Sequence, residues 1–262
     1  SSILKIQEMK ITFLGTGTSC GVPFIGCRCP VCTSSDPRDK RWRSSILVEA
    51  EGEKIVVDTG YEFRLQCLRA GIDQISAILY THTHPDHLVG LDDLRAFSKK
   101  GDIPVYATKE NLDSIQNAFS YAFRPFQRED GVPHLKGREI RDGEEFMVGK
   151  VKILPFLGEH GCRNVTGYRF GKVAYFTDVS DTMEEKNMKY LQNLDVLIID
   201  GLMDGPHPTH LSFTEASEFG LRTGAKKVYF THIGHSMKHQ DILEKFRGIA
   251  EPAYDTLILE VD

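Results

Sequence analysis

The sequence predicts an α/β (α+β) chain folded as a four-layered αββα sandwich, two mixed β-sheets with helices outside. Three observations predict it. Five apolar runs each end in Asp or His: IVVD at Asp58, ILYTH at His82, VAYFTD at Asp178, VLIID at Asp200 and VYFTH at His232. Runs this short and this apolar read as strands buried on both faces, and ends that all carry polar side chains imply sheets converging on one edge. Two strand pairs turn around Gly149 and Gly171–Lys172, which argues against a purely parallel, doubly wound sheet. Helical patterns then fall between the strands, where they cover the outer faces.

In chain order, Lys10–Leu14 is a first strand that ends in the glycine-rich turn GTGTSCGVP. No Lys follows its last glycine, so the turn is not a phosphate loop. Residues 16–43 form a long loop, and a loop of that length is functional or pinned. Ser45–Ala50 and Lys54–Asp58 pair around EGE, and Tyr61–Gly71 is a helix with a glycine stop. Ala77–Tyr80 is a buried strand, followed by a helix running to about Phe97. Ile103–Ala107 is a strand and Lys109–Asn117 a helix, after which Phe119–Pro133 is the least regular stretch. Glu144–Val148 pairs with Lys150–Phe156, and Gly167–Phe170 with Val173–Thr177. Helices at Thr182–Leu191, Thr214–Thr223 and Gln240–Ile249 alternate with strands at Val196–Asp200, Val228–His232 and Thr256–Val261. No low-complexity segment divides the chain, so residues 1–262 read as one domain. Residues 1–8 are an expected extension or tag remnant before Met9.

The chain has 262 residues, 40% hydrophobic and 26% charged, with 32 basic against 37 acidic residues and a net charge of −5. That is an ordinary globular composition without a broad nucleic-acid footprint. The first fifteen residues carry no sustained apolar stretch and no later run reaches membrane-spanning length, which predicts a cytoplasmic protein. Three of the six cysteines crowd together in CRCPVC. That spacing favours metal binding over a disulfide scaffold.

The densest chemistry is AILYTHTHPDH, where His82, His84, Asp86 and His87 fall within six residues of a strand end. Alternation places His82 and His84 on one side, Pro85 stops the strand, and Asp86 suits a helix start. A merely polar loop would not gather three imidazoles and a carboxylate so closely, and the group reads as a metal site. Cys27, Cys29 and Cys32 offer three thiolates that need a fourth ligand to complete a tetrahedral site. FSYAFRPF interleaves four aromatics with Arg124, and reads as core for the aromatics with Arg124 a candidate phosphate contact. Asp92, Asp93 and Arg95 read as a helix-capping and ion-pair group, and Lys40, Arg41 and Arg43 as a solvated loop. Cys67 reads as core, Cys20 has no assignment, and Cys162 nears the site only through its neighbour His160.

HTHPDH, preceded by VVDTG and followed by His160, Asp178 and His232, resembles the metallo-β-lactamase superfamily of hydrolases. GTGTSCGVP, GCRCPVC and THIGH are similar to its PhnP-like branch, the phosphoribosyl cyclic phosphodiesterases. The resemblance runs from Met9 to the end of the chain and implies the metallo-β-lactamase fold. It implies that His82, His84 and His160 hold one divalent ion, and Asp86, His87 and His232 another, with Asp178 bridging them. Zn²⁺ and Mn²⁺ both suit such ligands. It further implies a metal-bridging hydroxide as nucleophile, with Asp86 counted among the catalytic residues and Asp58 orienting the ligand loop by hydrogen bonds. Two divalent ions outweigh two aspartates and a hydroxide, so the site attracts an anionic phosphodiester. His210 matches the branch's proton donor, with His207 its rival. His235 matches the fourth ligand of a structural zinc with Cys27, Cys29 and Cys32, which would pin the 16–43 loop.

The expected function is hydrolysis of a small cyclic or nucleotide-like phosphodiester. The expected partner is that small molecule, with no membrane, no nucleic acid, and a homodimer left open. The alternatives are a PqqB-like role in cofactor biosynthesis, a tRNase Z-like endonuclease, and thiolester or lactam hydrolysis. The tRNase Z type carries an extended basic arm, and no such insertion is present here.

Overall fold

The computed structural model describes residues 9–124 and 131–262. Its elements are β1 (Met9–Gly15), β2 (Ser45–Ala50), β3 (Glu53–Val57), α1 (Phe63–Ala70), β4 (Ala77–Leu79), α2 (Pro85–Leu88), β5 (Ile103–Ala107), α3 (Lys109–Ala118), β6 (Leu135–Glu139), β7 (Phe146–Val148) and β8 (Val151–His160), then β9 (Arg163–Phe170), β10 (Val173–Phe176), α4 (Glu184–Asn187), β11 (Val196–Asp200), α5 (Phe213–Thr223), β12 (Lys227–Thr231), α6 (His239–Lys245), β13 (Glu251–Pro252) and β14 (Ile258–Val261). Two seven-stranded sheets result, ordered β14-β1-β2-β3-β4-β5-β6 and β13-β12-β11-β10-β9-β8-β7. Each is mixed. β3 to β6 run parallel in the first sheet and β10 to β13 in the second, while the remaining pairs are antiparallel.

Alternation along each strand divides the core into three apolar layers. Ile55 and Val57 face inward with Ile11, Phe13, Tyr168, Tyr175 and Ile198, between the sheets. Val56 and Ile78 face outward, under Phe63 of α1, Leu112 and Ile115 of α3. On the other side Ala174, Phe176 and Ile199 meet Phe213 and Phe219 of α5 and Ile242 of α6. The central strands are buried on both faces, which is why they read as unbroken apolar runs. The four-layered sandwich is therefore the observed fold. Parallel strands end on the same edge, so Asp58, His82, Asp178, Asp200 and His232 gather there.

The structure adds two strands that the pattern does not announce. β6, LKGRE, is an edge strand with one buried residue, so it has no apolar alternation to show. β13 is two residues long. The segment after β4 is a single helical turn, α2, continued in 3-10 geometry from Val89 to Ala96 rather than as one long helix. His160 is the last residue of β8, at the tip of the hairpin with β9, not in a loop beyond a strand.

The solvated reading of Lys40, Arg41 and Arg43 is overturned. Arg41 is only 2% exposed. Its Nη1 donates to Thr16 Oγ1 at 3.0 Å and to the Ala253 carbonyl at 2.6 Å, and its Nη2 lies 3.3 Å from His239 Nδ1. Lys40 donates to the Cys32 carbonyl and Arg43 pairs with Glu62. Charge in this run serves internal carbonyls and carboxylates, because a long loop pressed on the sandwich leaves polar groups that must be satisfied. Buried Asp255 completes the anchor by accepting from Thr16 N and Oγ1 and from Trp42 N. Asp92 and Arg95 do form the expected ion pair, and Tyr121 donates to Asp92 at 2.8 Å. Phe119, Ala122 and Phe123 pack on the outer core of the first sheet, while Pro125 and Phe126 lie outside the described residues. Cys67 is buried in α1.

Candidate metal centre

Asp58 builds the ligand loop from behind. Its Oδ1 accepts the Thr81 N–H at 2.9 Å, and its Oδ2 accepts the Thr81 hydroxyl at 2.8 Å. The same Oδ2 lies 2.7 Å from His87 Nδ1, which turns His87 Nε2 to the centre. Gly60 lets the two segments close, since a side chain there would run into the Asp86 carbonyl. Asp58, Asp178 and His232 all hold left-handed backbone, with φ of 64°, 54° and 56°. Non-glycine residues in that region are strained, and such strain collects at functional sites.

The structure brings every expected ligand together. His82, His84, His160 and Asp178 form one group and Asp86, His87, Asp178 and His232 a second, the donor atoms within each lying within 4.8 Å of one another. Asp178 belongs to both. Its Oδ1 is 3.3 Å from His87 Nε2, and its Oδ2 is 3.3 Å from His232 Nε2 and 3.9 Å from His82 Nε2. The fit to cations rests on orphaned atoms. His82, His87 and His232 each bury an Nε2 that has no hydrogen-bond partner, although buried nitrogens are normally paired. Nitrogen and carboxylate donors in this number suit borderline divalent ions.

The charge balance agrees. Burial, and then His87, hold the His82 imidazole well below its usual range, in the neutral form that ligates. Burial opposes charge on His87 as well, yet Asp178, Asp86 and Asp58 outweigh it and push that imidazole well up. Burial would raise Asp178, but His232 and His87 hold it well below the carboxylate range. Asp58, Asp86 and Asp178 thus make a negative field at the centre, which favours positive charge there.

His84, Asp86, His160, Asp178 and His232 open on a cleft of about 420 Å³, whose wall also includes Ser19, Cys162, Arg163, His207 and His210. His210 Nδ1 lies 2.8 Å from Asp200 Oδ2, which also accepts the Val179 N–H at 2.9 Å. The His210 ring stacks on His232 with centroids 4.7 Å apart and meets His160 at the same separation. A capping box, Ser212 with Glu215, starts α5 two residues after His210 and fixes the loop. His207 is further out and, among the described residues, bonds Thr209. Asp200 carries no site role in the sequence reading, although VLIID ends on it. Arg163 had one signal, its place three residues after His160. Cys162 lines the cleft as expected from His160. Arg124 lines a different hollow, with Asp102, Gln116 and His134, and shares no wall with the cleft. Its phosphate role does not hold.

Cys27, Cys29, Cys32 and His235 form a further compact donor group. His235 Nδ1 lies 3.4 Å from Cys29 Sγ and 3.6 Å from Cys27 Sγ. A hydrogen bond from the Cys32 backbone, and then one with His235, lower Cys29 to about 6, so its thiolate is available at neutral pH. Burial pushes Cys32 up to about 11.

Comparison with known proteins places this geometry. A model of the beta-lactamase superfamily domain matches residues 53–233. A crystal structure described as a new diphosphatase from the PhnP family is 37% identical, with a TM-score of 0.90 over 97% of each chain. Zn²⁺-bound PqqB from Methylobacterium extorquens is 19% identical with a TM-score of 0.80, over 96% of this chain and all of that one, and shows the fold alone. An octanoyltransferase of Porphyromonas gingivalis (strain ATCC BAA-308 / W83) is 37% identical over 97% of this chain and 52% of its own length. The chain spans about half the length of the first curated relatives it matches. Domain match, fold and shared-aspartate ligand groups agree: the chain belongs to the metallo-β-lactamase superfamily, in its PhnP family.

Proposed function

We propose that this chain is a metal-dependent phosphoric diester hydrolase acting on a small phosphodiester, cyclic or nucleotide-like. The observation that carries the reading is Asp178, shared by two ligand groups at the floor of an open cleft. His82, His84 and His160 would hold one divalent ion, Zn²⁺ or Mn²⁺, and Asp86, His87 and His232 the other, with Asp178 common to both. Bound there, such ions supply Lewis-acid polarisation of a phosphoryl oxygen and acidification of water. The chain's residues do the rest. Asp58 fixes the Nδ1 of His87, and the Thr209 carbonyl fixes that of His160 at 2.7 Å. Arg163, exposed on the cleft wall and without a carboxylate partner among the described residues, favours an anionic substrate. His210, its Nδ1 engaged by Asp200, keeps Nε2 for the departing alkoxide, which needs a proton. The diphosphatase description of the 37% identical structure supports phosphate esters or anhydrides as the substrate class. Cys27, Cys29, Cys32 and His235 would hold a structural zinc.

The test combines metal analysis with a hydrolysis screen. Turnover of bis(p-nitrophenyl) phosphate and cyclic ribose phosphates, lost in Asp178→Ala together with bound metal, supports the reading. Turnover confined to thiolesters, lactams or precursor tRNA overturns it.

A further inference from the structure

Next to the metal cleft lies a second hollow, of about 350 Å³ and walled mainly by apolar atoms, with Thr18, Cys20, Phe24, Leu202, Met203 and His235 around it. The same backbone separates the two spaces. Ser19 lines the cleft while its neighbours Thr18 and Cys20 line the hollow, and His232 lines the cleft while Gly234 and His235 line the hollow. Thr18 donates its N–H to the Ile233 carbonyl at 3.2 Å, and Gly234 donates to the Leu202 carbonyl at 2.8 Å. The partition is therefore one hydrogen-bonded wall.

Phe24 is held in that wall by the cysteine cluster. Its N–H donates to Cys32 Sγ at 3.3 Å, and its carbonyl accepts the Cys27 N–H at 3.0 Å. One ring face stacks on His235, with centroids 5.7 Å apart and planes 9° apart. The residue is still 41% exposed. A rigid flat ring, fixed on one side and open on the other, is a stacking platform, and the thioether of Met203 is a soft companion to an aromatic ring.

We propose that this hollow is a specificity subsite for a flat aromatic substituent, an aryl ring or nucleobase, carried by the phosphate ester bound in the adjoining cleft. The proposal rests on the phosphodiesterase reading and deepens it. The cleft takes the anionic head, beside Arg163, and Ser19 faces it while the adjacent Thr18 and Cys20 face the hollow, so an ester lying over the rim of the partition would reach both spaces. The cysteine cluster then does more than pin the long loop, because it aims the ring that selects the substituent.

The test is calorimetric titration of the metal-loaded protein with phenyl phosphate and with methyl phosphate, which share a head group and differ in the ring. Phenyl phosphate is expected to bind about tenfold more tightly. Phe24→Ala, and independently Met203→Glu, should bring the ratio to within about threefold. Zinc analysis of Phe24→Ala checks that the cysteine cluster is intact; if it is not, the Met203→Glu ratio decides. A wild-type ratio near one, or a ratio kept in the deciding variants, overturns the subsite. Failure of the wider reading looks different: no phosphodiester is turned over by the loaded wild type, whatever the two affinities.

Discussion

Asp200 Oδ2 stands 2.8 Å from His210 Nδ1, and this buried carboxylate is the one that ties the cleft histidine to the sheet edge. Burial raises the carboxyl well above its usual range and lowers the imidazole, so neither group ionises freely. The proton they share fixes the ring, and the second ring nitrogen is left for the cleft. His210→Gln should lower kcat for an alkyl phosphodiester about 10²- to 10³-fold, with a much smaller loss for a p-nitrophenyl ester whose leaving group needs no proton. Asp200→Asn should reproduce the same contrast more weakly. Equal losses on both esters would remove the proton-donor role.

Cys29 tests the proposed structural zinc apart from the chemistry. Cys29→Ser should lower bound zinc by about one equivalent and lower Tm, while the metal of the histidine centre is retained. Proteolysis should then begin within residues 16–43, the loop that the cluster ties to His235. Unchanged zinc content would refute the assignment.

Arg41 offers a stability test far from the cleft. Removing its guanidinium leaves Thr16 Oγ1, the Ala253 carbonyl and His239 Nδ1 buried with a donor missing. Arg41→Ala is expected to cost about 2–4 kcal/mol in urea unfolding. A cost below about 0.5 kcal/mol, the usual range for surface positions, would return Arg41 to the solvated class.

His239 gives a pH signature. Burial first, then the Arg41 and Arg38 charges, hold it at about 4 against an ordinary 6.5. Between those values the unfolded chain binds a proton that the folded chain refuses, so stability falls as pH drops from 6.5 towards 4. Above 6.5 the group contributes nothing. The full loss is on the order of 3 kcal/mol. His239→Gln, which keeps an acceptor for Arg41, should flatten the slope of unfolding free energy against pH in this window; an unaltered slope would contradict it.

Much of this was legible in the sequence, for physical reasons. Strands buried on both faces must be apolar throughout, so IVV, VAYF and VLIID announce themselves, and polar residues at their ends mark the edge where the ligands meet. Edge strand Leu135–Glu139 was invisible because one face and one side are wet. Asp200 was seen as a strand end but not as a partner, since its contact with His210 is made by a loop folding back ten residues later. The burial of Arg41 does not show in the sequence, because a buried arginine in a run of charges has the same local pattern as a solvated one. The single-turn α2 follows from Pro85 and the close approach at Gly60 and Gly90, which the apolar spacing of HLVGLDDLRAF does not reveal.

The centre draws His82, His84, Asp86 and His87 from the first half of the chain, and His160, Asp178 and His232 from the second. No half can hold the shared aspartate and its partners alone. The site is therefore completed only when the two sheets have docked, after the slow closure of contacts far apart in sequence. An ion that binds only there stabilises the native state without stabilising the transition state, so its removal should hasten unfolding and leave the folding rate alone. Metals held as proposed would act as a clasp that lengthens the lifetime of the folded chain.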